Sequence, residues 1–272
     1  MSTSGHLPPG VAVILAPNPS LMTGPGTNSW LVADDSGHCV VIDPGPLVDS
    51  HIDSLVDSIG RQRTLDAILI THGHHDHVDA AARLSSLTGA PVRAWSSTGD
   101  VSAEGLADDT RVAVGTRAVR ALHTPGHRFD HLCFLLEDCN AVFAGDLVAG
   151  SGTVVIAPPE GNLADYLASL RRLSALEITV LLPGHGPAIS QPRQLLTQYI
   201  DHRMAREQQV LAGLAGQDRS IRELVAIIYS DVDPALHPVA ARSVLAHLEK
   251  LEADGRVDRR DVAEERWHLI QK

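Results

Sequence analysis

Apolar and polar positions change rhythm along this chain. Residues 11–15, 28–32, 38–42, 65–70, 91–95, 111–114, 118–122, 132–136, 141–144 and 178–182 are short apolar runs bounded by turn residues, the pattern of buried strands. Between them, residues 48–59, 78–87 and 162–173 carry apolar positions at helical spacing. Gly89 would stop the second of these helices, and Asn162 would cap the third, with Leu163, Tyr166, Leu167 and Leu170 on one face. After residue 190 helical spacing takes over. A long connecting helix at 191–214 precedes a helix at 221–229 capped by Ser220, a turn at Pro234, and a helix at 238–252 stopped by Gly255. Two short strands, 256–259 and 266–270, close the sequence with acidic residues between them. Strands alternating with helices predict an α/β domain over residues 1–190, a connector over 191–217 and a small domain over 218–272. Helix, turn, helix and two-stranded wing is the winged-helix order.

Several of the strands end in chemistry. Residues 65–70 run into Thr71, His72, Gly73, His74, His75, Asp76 and His77. Along an extended backbone side chains two apart project the same way, so His72 and His74 can grip one cation while Asp76 and His77, past the bend, reach a second. A lone histidine among the fifteen in the chain would be a surface or satisfied residue. Four metal-type side chains within six residues at the mouth of a buried strand repel one another and need a counter-charge. His75 faces the other way and is left out of the set. Residues 118–122 end in His123, Thr124, Pro125, Gly126 and His127, where the turn lifts His127 off the sheet; His123 and His131 have a supporting claim only. Residues 141–144 lead to Gly145 and Asp146, a place for a carboxylate between two cations, and residues 178–182 lead to Pro183, Gly184 and His185.

Four strand ends thus deliver His72, His74, Asp76, His77, His127, Asp146 and His185. Nitrogen and oxygen donors without a cysteine fit a dinuclear site, with His72, His74 and His127 on one cation, Asp76, His77 and His185 around the other, and Asp146 between. Two zinc ions are expected, with manganese or iron as the alternatives. Asp43, at the end of residues 38–42, is assigned to the turn and to capping the next element in preference to a metal-ligand role, with buttressing of the site from outside the ligand set left open to it. The polar stretch 96–110 reads equally as the border of a substrate cleft or as a surface loop.

Composition narrows the setting. Aromatics make up 3% of the 272 residues, so Val, Leu, Ile and Ala must build the core, and the formal net charge of −11 argues against a surface that attracts nucleic acid or anionic membrane as a whole. Cys39, Cys133 and Cys139 show no CxxC pairing and no disulfide framework, which suits a reducing cytoplasm. No stretch approaches the length of a membrane span, and residues 1–10 have neither a basic region nor an apolar one, so an unexported chain off the membrane is expected.

The motifs resemble the metallo-beta-lactamase superfamily, whose His-x-His-x-Asp-His pattern is met by His72, His74, Asp76 and His77, and whose later single ligands are matched by His127, Asp146 and His185. The resemblance covers residues 11–191 and implies a four-layer αββα sandwich with the metals at one edge of the sheets. A closer likeness is to the beta-lactamase-like protein 2 branch, through Gly26, Thr27, Asn28, Trp30, Leu31 and Val32 and through Gly150, Ser151, Gly152 and Thr153, with Trp30 and Ser151 as departures from the residues expected there. That branch carries a C-terminal winged-helix-like domain, and its members known as single-strand-specific endoribonucleases imply single-stranded RNA as the substrate.

The expectation is a hydrolase that uses a metal-bound hydroxide, with Asp76 as the catalytic carboxylate orienting it. Thioester hydrolysis of the glyoxalase II type and lactone or beta-lactam hydrolysis are the alternatives among small-molecule substrates, and a mononuclear-iron sulfur dioxygenase can reuse the fold. A metal-bound nucleic-acid-binding module is the non-enzyme alternative. In the nucleic-acid reading Arg242, Lys250, Arg256, Arg259, Arg260 and Arg266 would meet phosphates. Against it, the chain from Asp201 onward holds 11 Lys and Arg against 13 Asp and Glu. Packing, homodimer formation or substrate gating are equal candidates for this tail.

Overall fold

Apolar alternation on both faces of the strands requires cover on both sides, and the chain supplies it with two sheets and two helical layers. The structure is a computed structural model that describes residues 7–96, 101–261 and 266–270. Part of the opening stretch, part of the polar stretch 96–110 and the acidic stretch between the wing strands lie outside the described residues.

The first sheet runs in sequence order through β1 (Val11–Leu15), β2 (Asn28–Ala33), β3 (His38–Ile42), β4 (Thr64–Leu69), β5 (Val92–Ala94) and β6 (Glu104–Gly105). Its pairings are antiparallel up to β3 and parallel beyond it. The second sheet holds β7 (Arg111–Val114), β8 (Arg117–His123), β9 (Leu132–Leu136), β10 (Ala141–Gly145) and β11 (Val180–Pro183), in the order β11-β10-β9-β8-β7. Val32, Val40, Ile42 and Leu69 of one sheet meet Ala121, Phe134, Leu136 and Phe143 of the other in a shared core. Helices α1 (Asp49–Ile59), α2 (His75–Val78) and α3 (Ala81–Thr88) lie on the outer side of the first sheet, where Leu55, Ile59 and Leu84 cover Cys39, Val41 and Ile68. Helices α4 (Leu163–Ser174) and α5 (Pro192–Leu214) cover the second, with Tyr166, Leu170 and Leu196 against Cys133, Leu135 and Val142. These four layers are the expected αββα sandwich. Asn162 caps α4, its side chain accepting from the Asp165 N–H at 3.0 Å.

The tail has its own core. Val210 and Leu214 at the end of α5 pack with Leu224 of α6 (Ile221–Ile228), with Val244, Leu248 and Leu251 of α7 (His237–Ala253), and with Val257 and Trp267 of the wing. The wing strands β13 (Val257–Asp261) and β14 (Arg266–Leu269) are joined by β12 (Arg219–Ser220), a third short strand that the apolar pattern does not reveal because it is only two residues long. Ser220 then opens α6 with a reciprocal cap shared with Glu223.

One expected helix starts later, with a helical turn before it. The periodic stretch 78–87 becomes α3 from Ala81 onward, and a separate single turn, α2, precedes it, so His75, Asp76 and His77 sit on helical backbone. Gly89 ends α3 in the left-handed conformation as expected.

Candidate metal centre

The C-terminal ends of β4, β8, β10 and β11 open on the same edge, and each turn that follows carries donor side chains. Close packing sets these turns. A Cβ on Gly145 would lie 2.7 Å from both His131 Nε2 and Thr71 Oγ1, and one on Gly184 would lie 2.6 Å from His77 Cε1 and 2.8 Å from Asp146 Oδ1. Glycine is what lets the backbone come this close to the imidazoles.

All seven donors are brought together, in two groups. His72, His74, His127 and Asp146 form one, and Asp76, His77 and His185 the other, the ligand atoms within each lying within 4.8 Å of one another. In the first, His74 Nδ1 stands 2.9 Å from His72 Nε2 and 3.1 Å from His127 Nε2. In the second, His77 Nε2 stands 3.3 Å from His185 Nε2, and Asp76 Oδ2 is 3.2 Å from the latter. Asp146 faces both, its Oδ1 at 3.5 Å from His77 and His185 and its Oδ2 at 3.7 Å from His127 and 4.0 Å from His72. His75 is exposed and pairs with Asp79 instead.

The outer nitrogens bear on whether the cluster fits a cation. His72 Nδ1–H donates to Thr71 Oγ1 (3.0 Å), which in turn donates to Asp43 Oδ2 (2.7 Å). His77 Nδ1–H donates to Asp43 Oδ2 at 2.8 Å, His127 Nδ1–H to the Val155 carbonyl at 2.9 Å and His185 Nδ1–H to the Gly26 carbonyl at 3.3 Å. With these protons placed outward, the inner nitrogens of His72 and His127 present lone pairs to His74 Nδ1. A single proton there satisfies one of them at a time, whereas a cation satisfies all three. The donor set therefore fits two metal ions of the zinc, manganese or iron kind.

Electrostatics divides the two groups. Burial holds His72 and His127 below the usual imidazole range and His74 down to about 4, so these rings are neutral. Burial acts on His77 and His185 in the same direction, but Asp146 with Asp43 and Asp76 outweighs it and raises them to about 9 and about 10. Burial would raise Asp146 and Asp76, yet the facing imidazoles hold Asp146 far below the carboxylate range and Asp76 at about 2. Protons on His77 and His185 thus stand where a second positive charge is wanted.

Several residues support the site without being among its seven donors. Asp43 caps no helix: α1 begins after Val48. Held at φ 52° and fully buried, Asp43 accepts from the Thr71 N–H (2.8 Å) and hydroxyl as well as from His77, so its role is to buttress the site. His131, buried, donates from Nδ1 to Thr124 Oγ1 (2.9 Å) and accepts the Asp146 N–H at Nε2 (3.1 Å), which sets the bend that aims Asp146. His123 has no part in the site, stacking on Trp95 at 3.7 Å and donating to the Phe129 carbonyl. Trp30 is buried against Phe143 and donates to the Pro183 carbonyl at 3.2 Å, which steadies the turn before His185, while Ser151 is exposed.

The basic residues of the tail are mostly spent internally. Lys250 and Arg256 reach the buried Glu207 at 2.8 Å and 3.4 Å, Arg260 pairs with Asp218 at 3.1 Å, Arg266 with Glu223 at 3.3 Å, and Arg259 lies 4.6 Å over the Trp267 ring. Of the six arginines and lysines suggested as phosphate contacts, Arg242 alone has no ion pair or ring contact among the described residues; this distribution favours a packing role for the tail.

Residues 22–185 match the metallo-beta-lactamase superfamily, and residues 220–267 match the beta-lactamase associated winged helix domain. The chain is similar to the Beta-lactamase-like protein 2 homolog of Drosophila melanogaster, 31% identical over 277 residues that span 95% of this chain and 93% of that one. A metallo-beta-lactamase family protein from Thermus thermophilus superposes with a TM-score of 0.81 at 22% identity over 97% of this chain and 100% of its own. Another solved structure, of a protein in a di-iron-bound form, has a TM-score of 0.53 at 28% identity over 64% of this chain and 96% of its own.

Proposed function

The chain belongs to the metallo-beta-lactamase superfamily, and from that premise we propose that its seven donors hold two divalent cations, zinc first, for hydrolysis of a phosphodiester in single-stranded RNA. The observation that carries this is Asp146, one oxygen of which faces each donor group. Two such cations would supply a hydroxide nucleophile near neutral pH and polarise the bond under attack.

The chain's own residues set up the rest. Asp76 is the catalytic carboxylate: it is the most solvent-accessible of the three acids Asp43, Asp76 and Asp146, it stays ionised, and its Oδ2 is held by His185 and, at 3.5 Å, by Thr27 Oγ1. That leaves it able to accept a hydrogen bond from the attacking water and fix its direction. Asp43, Thr71 and the carbonyls of Val155 and Gly26 keep the imidazoles in the tautomer that turns a lone pair inward. Zinc suits the imidazole and carboxylate donors; iron is the alternative, since a neighbour of this fold holds two iron ions. The free thiols of Cys39, Cys133 and Cys139 support a reducing, cytoplasmic setting.

The test is cleavage of an end-labelled single-stranded RNA by metal-analysed protein beside Asp76→Asn and His77→Ala. Cleavage by the parent that both variants lose is the expected result; no cleavage by a parent that holds two cations overturns the RNA substrate. A second reading, hydrolysis of a thioester or lactone with an apolar acyl part, is favoured by one observation. Leu21, Met22, Leu47 and Phe129 are exposed on the same turns that hold His185, His77 and His127. The same preparations, given acyl thioesters of increasing chain length, would then hydrolyse the long ones fastest.

A further inference from the structure

Four of the five imidazoles in the metal centre have their outer nitrogen on an oxygen, and His74 does not. It turns Nδ1 inward, and its Nε2 makes no hydrogen bond among the described residues. A ligand imidazole left this way can rotate about χ2, which costs the site its geometry and the ring its basicity. The nearest carboxylate is Glu160, whose Oε2 is 3.9 Å from His74 Nε2.

Glu160 is placed there by a closed circuit of contacts. Its Oε1 is 3.2 Å from Arg128 Nη1, and Arg128 Nε donates to Asp130 Oδ1 at 2.9 Å. Asp130 is buried, and its Oδ2 accepts from the N–H of Gly73, the residue before His74, at 3.2 Å. The circuit therefore begins and ends on the strand turn that carries His74. Beside Glu160 the chain is pressed against the His127 turn: Asn162 N–H donates to the Gly126 carbonyl at 2.8 Å, and a Cβ on Gly161 would lie 3.0 Å from the His127 carbonyl. A few residues earlier in the same segment the Val155 carbonyl holds His127. Residues 155–161 thus form the outer wall of the first donor group.

We propose that Glu160 is the positioning residue for His74, accepting its Nε2–H when His72, His74 and His127 take up a cation, so that residues 155–161 clasp that position through the Val155 carbonyl and the Glu160 carboxylate. The proposal rests on the metal reading above. It separates this position from the one at Asp76, His77 and His185, which residues 155–161 do not touch through either group.

The experiment is a titration of the metal-free full-length chain with zinc against a chromogenic chelator, for the parent, Glu160→Ala, Glu160→Gln and the surface control Glu104→Gln, whose carboxylate pairs with Arg93 on the edge of the first sheet. The parent is expected to take up two cations. In Glu160→Ala one of the two is expected to weaken about 10- to 100-fold with the other unchanged, because loss of such an outer partner typically has that effect. Glu160→Gln keeps an acceptor oxygen and should recover most of the loss, and Glu104→Gln should match the parent. Two cations bound by Glu160→Ala as tightly as by the parent would overturn the proposal. So would equal weakening of both cations together with a lower melting temperature of the metal-free chain, which would mark Glu160 as merely structural. A parent that takes up no cation would instead remove the metal reading itself, and this inference with it.

Discussion

The metal edge and the junction between α5 and the tail both bury charge, and they do so in opposite ways. At the edge, the outward-facing nitrogens of His72, His77, His127 and His185 are satisfied by Thr71, Asp43, Val155 and Gly26, while the inward ones of the five imidazoles converge on each other at 2.9–3.3 Å. At the junction the charges answer one another: buried Glu207 is met by Lys250 and Arg256, and Lys250 also reaches Asp254 at 2.7 Å. Polar atoms left without a hydrogen bond there, among them Arg203 Nε, both nitrogens of His247 and, its ion pair with Lys250 apart, Glu207 Oε2, sit apart from the two donor groups. Donor atoms that converge on one another fit a ligand; charges paired side by side within the chain fit a joint.

The sharpest way to break this contrast is at Asp146. Asp146→Asn removes the charge that both donor groups share, and hydrolysis is expected to fall about 10³-fold, with cation content falling alongside it by metal analysis. Retained activity with full metal content would mean that Asp146 does not join the two groups. Asp43→Asn is the next step down. It leaves the fold but turns an acceptor of three hydrogen bonds into a mixed one, so cation affinity should drop about 10- to 100-fold, read by the same chelator titration. An unchanged affinity would return Asp43 to the turn role that its position in the sequence suggests.

At the junction the effect should appear in stability and not in metal. Glu207→Ala strips the partner from Lys250 and Arg256. Breaking a buried pair is costly, but Arg256 is half-exposed and Lys250 keeps Asp254, so about 2 kcal/mol is expected, as a lower denaturation midpoint with cation content intact. Loss of metal in this variant would show that the two regions are one energetic unit. A route exists: α5 also carries Tyr199, whose hydroxyl accepts from the Ala149 N–H at 3.2 Å and donates to the Gly152 carbonyl at 2.9 Å, and Arg203, which donates to the Val154 carbonyl next to the residue that holds His127.

What was legible in the sequence follows the same line. His72, His74, Asp76, His77, His127, Asp146 and His185 announce themselves because each lies just past an apolar strand, all but His72 after a Gly or Pro of the turn, a local signal that needs no knowledge of the fold. His131 and Glu160 give no such signal, and Asp43 gives it in a form that reads first as turn chemistry. Asp43 looks like any aspartate before Pro-Gly, yet its hydrogen bonds run 28 and 34 residues along the chain. A better cue was available for Asp43, since it too closes an apolar strand of the same sheet as β4. The tail was left open for the inverse reason. A phosphate surface stood beside packing as a reading of its basic residues because Glu207 and Asp218, which pair with three of them, lie well before them in the chain.

The smallest expected effect tests that last point. If the wing met RNA, each phosphate contact removed would lower the dependence of log affinity on log salt by about 0.7 for a single strand. Arg256 and Arg260 are the wing residues whose charge is already answered by Glu207 and Asp218, so Arg256→Gln and Arg260→Gln should leave that slope unchanged and single-stranded RNA affinity within about twofold. Arg242→Gln is the internal reference, because Arg242 has no ion pair among the described residues and lines an open cavity of about 810 Å³ between α6 and α7 with Arg222 and His237. A slope that falls in all three variants would show the internal ion pairs opening to bind phosphate, and the tail would then be a nucleic-acid surface after all. A slope that falls in Arg242→Gln alone would confine contact to that cavity and leave the wing as packing.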